Sequence, residues 1–357
     1  MKIKSFHIYQ YKLPCIRAFT LDRKKSFFRS GFICSISTDE GAQALGEVAP
    51  LPGRSDFSFE DTLDQLLELR KFLSDKDLPE IFNEDTFDAW FHPISPSPAA
   101  RFGLETACLY LLTQVKKTVP QHLLSKPCAK EISVSGLLTG STNALTQETE
   151  KLLDHGHTSF KLKVGKNIKE DIARVRTVLN ITCGKATVHV DANQAWSFDD
   201  AVSFANTFGP EMIAYIEEPF HKTEMIPEFY EKTGLPVAVD ESLTLDQAPI
   251  HGAQIWVLKP TCIGGIFSAL RQLTLARLSG RKVVISSSFE SDVGLSTLTL
   301  LAGIDGEFQM PAGLDTQKFF AKNLLKDPPV FNQGRVSIVE HNLTENDLDM
   351  SLLKTIV

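Results

Sequence analysis

The chain has 357 residues, of which 43% are hydrophobic, so it can bury a large core in one large domain or two unequal ones. Acidic residues outnumber basic ones by 44 to 37, and the formal net charge of -7 gives no excess of basic residues of the kind that binds a nucleic-acid backbone. The N-terminus shows no signal-peptide pattern, and no apolar run approaches the roughly 20 residues of a membrane-spanning helix. We therefore expect a cytoplasmic protein that binds neither nucleic acid nor membrane.

The first 125 residues predict an α+β domain. Alternating strands are predicted at 3–11 and 32–37, and helices at 60–72 and 102–112. A proline-rich segment at 91–100 links elements within this domain. From residue 326 the chain returns to loop and strand character, and we expect 326–357 to complete the N-terminal domain.

Residues 126–325 alternate short β-type runs with helical periods. Strands are predicted at 131–137, 160–163, 187–191, 213–217, 237–240, 254–259 and 282–286, with a weaker one near Phe308. Seven or eight consecutive βα units predict a TIM-like (β/α)7β barrel, in which functional side chains lie where the strands end.

Three successive predicted strands each end in a carboxylate, at Asp191, Glu217 and Asp240. These residues are spaced by about one βα unit, and neighbouring strands lie roughly 4.8 Å apart, so the three side chains can meet at one point. Such a cluster repels itself unless a cation lies within it, and hard oxygen ligands select Mg²⁺. The sequence therefore predicts a magnesium site at this edge of the barrel. Glu218 and Glu241 each follow one of these carboxylates, and by strand alternation we expect both to point to the opposite face and to support the ligands from behind.

Lysines flank this row of carboxylates on both sides. Lys161 and Lys163 alternate with Phe160 and Leu162, so both lysines point into the barrel, and Lys259 ends the strand beyond the last carboxylate. A solvated edge strand would also carry such lysines, but barrel strands are covered by helices and interior amines are costly. A metal between amines suits the removal of a proton next to a carboxylate.

The segments FKLKVG, VDANQAW, YIEEPF, VAVDES and VLKPT resemble the enolase superfamily, in particular its muconate lactonizing enzyme subgroup. GEVAPLPGRS, RFGLETA, ISSSFESDVGL and PAGLDT are most similar to the o-succinylbenzoate synthase family of menaquinone biosynthesis. The resemblance runs along the whole chain. It implies a capping role for the N-terminal domain and a hydro-lyase reaction, the syn dehydration of 2-succinyl-6-hydroxy-2,4-cyclohexadiene-1-carboxylate to 2-succinylbenzoate.

The resemblance also implies a role for each residue of the site. Mg²⁺, for which Mn²⁺ would substitute, and a small-molecule carboxylate substrate are the expected ligands. The residues with implied roles are Asp191, Glu217 and Asp240 for the metal; Lys163 as general base, with Lys161 assisting and Lys259 stabilising the enolate from the opposite face; and Asn193, Ser286 and Gly313 for substrate carboxylates.

Two alternative functions remain open. An N-succinylamino acid racemase or dipeptide epimerase of the same subgroup would use the same lysines, although GLDT at 313–316 replaces the DxD pair expected of dipeptide epimerases. A barrel that binds a dicarboxylate without catalysis is the alternative from another class, and it gains nothing from a costly charge cluster.

Several points stay undetermined by the sequence. They are whether the chain forms a homo-oligomer, whether His189 contacts ligand or is a packed core residue, and which N-terminal loop residues reach the substrate; the loop candidates are Arg23, Lys24, Lys25 and Arg29, with a solvated charge run as the alternative.

Overall fold

The structure is a computed structural model that describes residues 1–21, 24–124, 127–243, 250–304, 306, 309–339 and 341–357; for residues 17–21 and 24–25 it describes the backbone alone. Arg23, the predicted strand near Phe308 and the predicted domain boundary between residues 125 and 126 fall outside this part of the chain. Within the described residues, no helix combines the length and apolar character needed to cross a membrane.

An antiparallel sheet forms the N-terminal layer. β1 (Ile3–Leu21) pairs with β2 (Lys24–Thr38), and β2 pairs with β3 (Gln43–Val48). Alternate side chains of β1 enter two apolar clusters, since Ile8 packs into the main core and Tyr9 packs against the C-terminal segment. The two predicted strands are present, and both are longer than predicted because the ladder continues past Pro14 with a shift in register.

Four helices follow: α1 (Phe59–Leu73), α2 (Glu84–Phe91), α3 (Pro98–Lys116) and α4 (Pro120–Leu123). A capping box begins α1, in which the Ser58 hydroxyl accepts from the Asp61 amide and the Asp61 carboxylate accepts from the Ser58 amide. Pro98 lies in the first turn of α3, where its missing N–H costs no helical hydrogen bond. The proline-rich segment at 91–100 thus joins α2 to α3, as predicted.

After β4 (Glu131–Ser133) the chain enters a parallel sheet of seven strands in chain order. The strands are β5 (Gly136–Leu138), β6 (Ser159–Lys163), β7 (Thr187–Asp191), β8 (Ile216–Glu217), β9 (Val237–Val239), β10 (Ile255–Leu258) and β11 (Lys282–Ile285). The helices between and after them are α5 (Thr142–Asp154), α6 (Ile168–Thr182), α7 (Phe198–Met212), α8 (Ile226–Thr233), α9 (Gly265–Leu278) and α10 (Asp292–Gly303).

The sheet closes through the segment that follows α10. Gly313 forms a parallel bridge with Ser286 at the end of β11, and Ala312 forms one with Val134 ahead of β5. The eighth position of the barrel is therefore filled by a strand-like segment. This closure confirms the predicted TIM-like barrel with an α+β N-terminal domain.

The predicted strand at 131–137 is divided in the structure. β4 pairs antiparallel with β13 (Arg335–Ser337), which also pairs with β12 (Phe331–Asn332), whereas β5 joins the barrel. The division comes at Ser135, whose amide donates 2.9 Å to the carbonyl of Ala312.

The last strand, β14 (Leu353–Thr355), pairs with β1. The segment after residue 326 therefore contacts both the N-terminal sheet and, through β12 and β13, the strand β4. The division into 1–125 with 326–357 and 126–325 remains a prediction.

Two buried carboxylates of the N-terminal domain fix it to the barrel. Glu47 of β3 accepts from the amides of Ser291 and Gly294 over 2.8 and 2.7 Å, at the start of α10. Glu105 of α3 accepts from the amide of Ile266 over 2.6 Å, at the start of α9. Because the first amides of a helix lack intrahelical partners, these acids satisfy them and hold the two parts together.

Candidate active site

Strand β6 brings two lysines to the inner face of the barrel. Phe160 and Leu162 are fully buried on the opposite face. Lys161 and Lys163 both bind Asp191 Oδ2, with Nζ at 2.9 and 2.5 Å. The period of two along β6 therefore places both amines at the carboxylate row, as predicted.

The predicted carboxylates lie on neighbouring strands at the barrel mouth and are all buried. Asp191 and Glu217 are paired in register between β7 and β8, and Asp240 directly follows β9. Lys161 Nζ lies 2.6 Å from Glu217 Oε2, so one ammonium group joins Glu217 to Asp191. The structure therefore collects these side chains at one edge of the barrel.

Lys163 is the more accessible of the two lysines on β6. Its side chain is 38% exposed, against 11% for Lys161. Besides Asp191, its Nζ donates to Asn193 Oδ1 over 2.9 Å. Lys163 is thus held by two oxygens and still faces the open side of the site.

Lys259 closes the row at its other end, where its ammonium group donates to Asp240 Oδ2. Arg54, from the loop after β3, lies 3.3 Å from Asp240 Oδ1. Burial alone would raise the pKa of Asp240, and the positive charges of Lys259 and Arg54 lower it. The two amines predicted on either side of the carboxylates are therefore both present.

Electrostatic compensation along the row is uneven. Burial alone would raise the pKa of Asp191, but the ammonium groups of Lys161 and Lys163 hold it well below its ordinary range. Burial, then repulsion from Asp191, raises the pKa of Glu217. Burial alone would lower the pKa of Lys161, yet Asp191 and Glu217 raise it well above its ordinary value. Glu217 is thus the carboxylate whose charge is least compensated.

The donor set of the row suits a hard divalent cation. Glu217 Oε1 is buried and has no hydrogen-bond partner among the described residues, so the row offers an unused carboxylate oxygen in its centre. The other oxygens of the row face the lysine ammonium groups, Arg54 or the main-chain N–H of Asn193. The described residues contain no three His, Cys, Asp or Glu side chains already gathered to hold one ion. Carboxylate oxygens without sulfur donors match Mg²⁺, and a cation there would compete with the ammonium groups.

The acids that follow two of the predicted ligands differ from one another. Glu218 accepts from the amides of Asp240 and Ser242, both over 2.7 Å, and so supports the strand end from behind, as predicted. Glu241 was predicted to face away from the site. Instead its Oε1 accepts 3.0 Å from Asn193 Nδ2, because the chain turns out of the sheet after β9 and strand alternation no longer applies.

The residues predicted to bind substrate carboxylates form two groups. Asn193 has a positive φ of 44°, a conformation that asparagine tolerates. Its main-chain N–H donates to Asp191 Oδ1 over 3.0 Å. Ser286 and Gly313 lie together, and a Cβ at Gly313 would stand 2.6 Å from Ser286 Oγ. Among the described hydrogen bonds none joins Ser286 or Gly313 to the carboxylate row, and their contact with substrate remains a prediction.

Arg29 is buried, so the interpretation of the early basic residues as a solvated charge run is wrong for this residue. Its guanidinium donates to carbonyl oxygens, among them Ala49 at 2.8 Å and Phe289 at 3.0 Å, and so ties the loop after β3 to the loop after β11. The side chains of Lys24 and Lys25 lie outside the described part.

His189 is buried and stacks on Tyr215, with ring centroids 4.4 Å apart. Burial and the charge of Lys161 lower its pKa to about 3, so it is neutral near pH 7.

Sequence reasoning missed Arg54 as a residue of the site. Its segment, GEVAPLPGRS, carried the resemblance, but nothing in the spacing indicated that the arginine reaches a strand end far along the chain. One feature of the sequence could have indicated Arg54: it is an arginine in a loop rich in proline and glycine, and binding residues are often found in such loops.

Two family models match the chain. "Enolase C-terminal domain-like" covers residues 144–342, and "MenC, N-terminal domain" covers residues 3–111. The first match includes every strand end that carries a lysine or carboxylate of the row.

Curated relatives carry more than one activity in their names. The o-succinylbenzoate synthase of Vibrio cholerae is 30% identical over 351 residues, which cover 94% of this chain and 96% of that protein. Protein PHYLLO, chloroplastic, of Arabidopsis thaliana is 28% identical over 322 residues, and the match covers 82% of this chain but 19% of that protein. The N-succinyl-L-Arg/Lys racemase of Bacillus cereus is 25% identical over 306 residues, which cover 83% and 82% of the two chains.

Solved structures share the whole fold. Muconate lactonizing enzyme from Pseudomonas fluorescens, in complex with muconolactone, has a TM-score of 0.88 at 20% identity over 99% of each chain. A dipeptide epimerase from Cytophaga hutchinsonii, in complex with Mg and a dipeptide, has a TM-score of 0.88 at 20% identity over 100% of this chain and 99% of that one. With a family model matched over more than half of its length, the chain belongs to the enolase superfamily.

Proposed function

We propose that this protein is an o-succinylbenzoate synthase, a hydro-lyase of menaquinone biosynthesis. Its reaction is the syn dehydration of 2-succinyl-6-hydroxy-2,4-cyclohexadiene-1-carboxylate to 2-succinylbenzoate. The observation that carries the proposal is the placement of Lys163 and Lys259 at opposite ends of one buried carboxylate row. Relatives with this name at 28–30% identity and the matched N-terminal family model support it.

Lys163 is the proposed base because it combines an amine at the row with an exposed face. In its neutral form it takes the proton from the carbon that bears the ring carboxylate, and the electron pair of that C–H bond forms the new double bond. The hydroxyl leaves with its bonding pair and takes a proton from the Lys163 ammonium group, so water is released and the amine is regenerated.

The other residues of the row stabilise charge. Lys259 presents a fixed ammonium group from the opposite end, and Lys161 assists Lys163 while it neutralises Asp191 and Glu217. Asp191, Glu217 and Asp240 would hold Mg²⁺, with Mn²⁺ as a substitute. When bound, the metal would supply positive charge for the substrate carboxylate as its neighbouring carbon loses a proton.

Asn193, Ser286 and Gly313 are proposed to orient the two carboxylates of the substrate. Gly313 lacks a side chain where a Cβ would meet Ser286 Oγ, so the two residues lie in close contact at the end of β11. The substrate is a small dicarboxylate, so oriented donors on two sides of the site favour one pose.

A second candidate is racemization of an N-succinylamino acid, which the two amines also favour, and the Bacillus cereus racemase supports it. Dipeptide epimerization is less well supported. Asp315, the acid present where a DxD pair is expected, accepts from the Leu137 amide over 2.8 Å and binds Lys318, so it is already engaged. Binding without turnover would leave the buried charge cluster without a use.

The test is to supply the purified protein and Mg²⁺ with the cyclohexadiene substrate and to record the absorbance of the aromatic product. In parallel reactions, N-succinyl-L-arginine or a dipeptide is supplied instead, and racemization or epimerization is measured by the change in optical rotation and by the incorporation of solvent deuterium. Formation of 2-succinylbenzoate supports the proposal. Turnover of the N-succinylamino acid alone would replace it with the racemase, and no turnover with retained dicarboxylate binding would favour the binding barrel.

A further inference from the structure

A continuous set of polar contacts runs from the N-terminal domain to Lys163. Arg54 Nη1 lies 3.4 Å from Glu241 Oε1. The same oxygen accepts from Asn193 Nδ2 over 3.0 Å, and Asn193 Oδ1 accepts from Lys163 Nζ over 2.9 Å. Three contacts therefore connect the loop after β3 with the proposed base.

The chemistry of the two ends fixes the orientation of the Asn193 side chain. An amide has one accepting and one donating end, and Lys163 can only donate when charged, whereas an ionised Glu241 can only accept. A rotated amide would place its NH₂ group against the ammonium and its oxygen against the carboxylate. Glu241 thus decides which end of Asn193 faces Lys163.

Arg54 in turn holds Glu241 in place. Its side chain is 22% exposed, and its Nη2 also donates to the main-chain carbonyl of Asp240 over 3.4 Å. A guanidinium presents several donors in one rigid plane, so it can contact a carboxylate and a carbonyl of adjacent residues together. Arg54 of the N-terminal domain therefore holds the turn after β9 in place.

We propose that Arg54 is a positioning residue, which acts through Glu241 and Asn193 to set the direction from which Lys163 faces the substrate. This inference rests on the proposed function, because it takes Lys163 as the base. It gives the N-terminal domain a part in proton transfer that is separate from covering the barrel.

The first experiment compares Arg54→Gln with Arg271→Gln over a series of Mg²⁺ concentrations that reaches saturation of the wild-type protein. Arg271 of α9 lies 2.8 Å from Glu84 of α2, so the control also removes an ion pair between the barrel and the N-terminal domain, but away from the row. We expect Arg54→Gln to lower kcat about tenfold with KM changed less than about twofold, and Arg271→Gln to keep both. Arg54→Lys should recover part of the loss, and adding Glu241→Gln to Arg54→Gln should cost little more.

The second experiment needs no turnover. The side-chain amide signals of Asn193 are assigned in ¹⁵N–¹H spectra by their loss in Asn193→Ser. We expect them to shift in Arg54→Gln and in Glu241→Gln, and to stay in place in Arg271→Gln. Thermal unfolding of each variant verifies that the fold is retained.

Three results would overturn the inference. An unmoved Asn193 amide would break the proposed connection. A raised KM with unchanged kcat would make Arg54 a direct substrate contact, and a kcat restored by more Mg²⁺ would mean that Arg54 acts on Asp240 alone. If the wild-type protein does not dehydrate the cyclohexadiene, the proposed function fails, while the amide spectra still decide whether Arg54 positions Asn193.

Discussion

Lys161 Nζ lies 2.6 Å from Glu217 Oε2, and the second oxygen of Glu217 is buried without a hydrogen-bond partner in the part of the chain that the structure describes. The ammonium group of Lys161 is shared between Glu217 and Asp191, and Glu217 still has one oxygen that accepts no hydrogen bond from the described residues. Burying a carboxylate is costly unless its charge is compensated, so this pair marks the point where the row has most to gain from a cation.

Glu217→Gln should weaken Mg²⁺ binding by more than about tenfold, because the loss of a residue that only supports a metal ligand already lowers metal affinity by about that factor. The substitution keeps the shape of the side chain and removes its charge. Titration calorimetry in the absence of substrate measures the change, and Glu224→Gln, an exposed acid on the following turn, is the control. Equal affinity in both variants would remove Glu217 from the metal site.

Lys163→Ala should lower kcat about 10²- to 10⁴-fold while the protein still folds, because it removes the proposed base. Lys163 is partly exposed, so its loss leaves no large cavity. The assay is product absorbance with circular dichroism alongside, and Lys166→Ala removes an exposed lysine nearby as a control. An active Lys163→Ala protein would assign the base to another residue.

Gly313→Ala should raise KM about tenfold, because displacing the end of β11 misplaces the groups proposed to orient the substrate. The new methyl group would press on Ser286 Oγ and displace the end of β11. Gly306→Ala is the matched control, because a Cβ there meets no atom of the described residues within 4 Å. The steady-state constants of the two variants decide, and indistinguishable values would show that Ser286 and Gly313 do not orient the substrate.

His189 should make the folded state sensitive to acid. Burial, with the charge of Lys161, lowers its pKa to about 3 from an ordinary value of 6.5. Between these pH values the unfolded chain binds a proton that the folded chain does not, so this contribution to stability is present above pH 6.5 and is lost as the pH falls. His189→Phe should therefore flatten the fall in Tm between pH 7 and 4, whereas His251→Gln, at an exposed position, should not.

The carboxylate row was predictable because it depends on local pattern and on chain order. Side chains alternate along β6, so Lys161 and Lys163 had to share a face. Parallel strands joined by helices end at the same edge of the sheet, so Asp191 and Glu217 became neighbours once each was assigned to a strand end. A family resemblance then assigned their roles.

Predictions failed where that regularity stops. Glu241 follows the end of β9, and beyond a strand end the alternation of faces carries no information about where a side chain points. The split at Ser135 was also hidden, because one β-type run of sequence serves two sheets whose partners, such as Ala312, come from distant parts of the chain.

By itself, the sequence determined the barrel, its order of strands, and the lysines and carboxylates at their ends, because each follows from short periodic patterns. Only the tertiary structure decided that Arg54 reaches Asp240, 186 residues away, and that Arg29 is buried among carbonyl oxygens. The physical reason is that contacts between loops depend on how two domains pack, and the spacing of residues within either domain does not encode that approach.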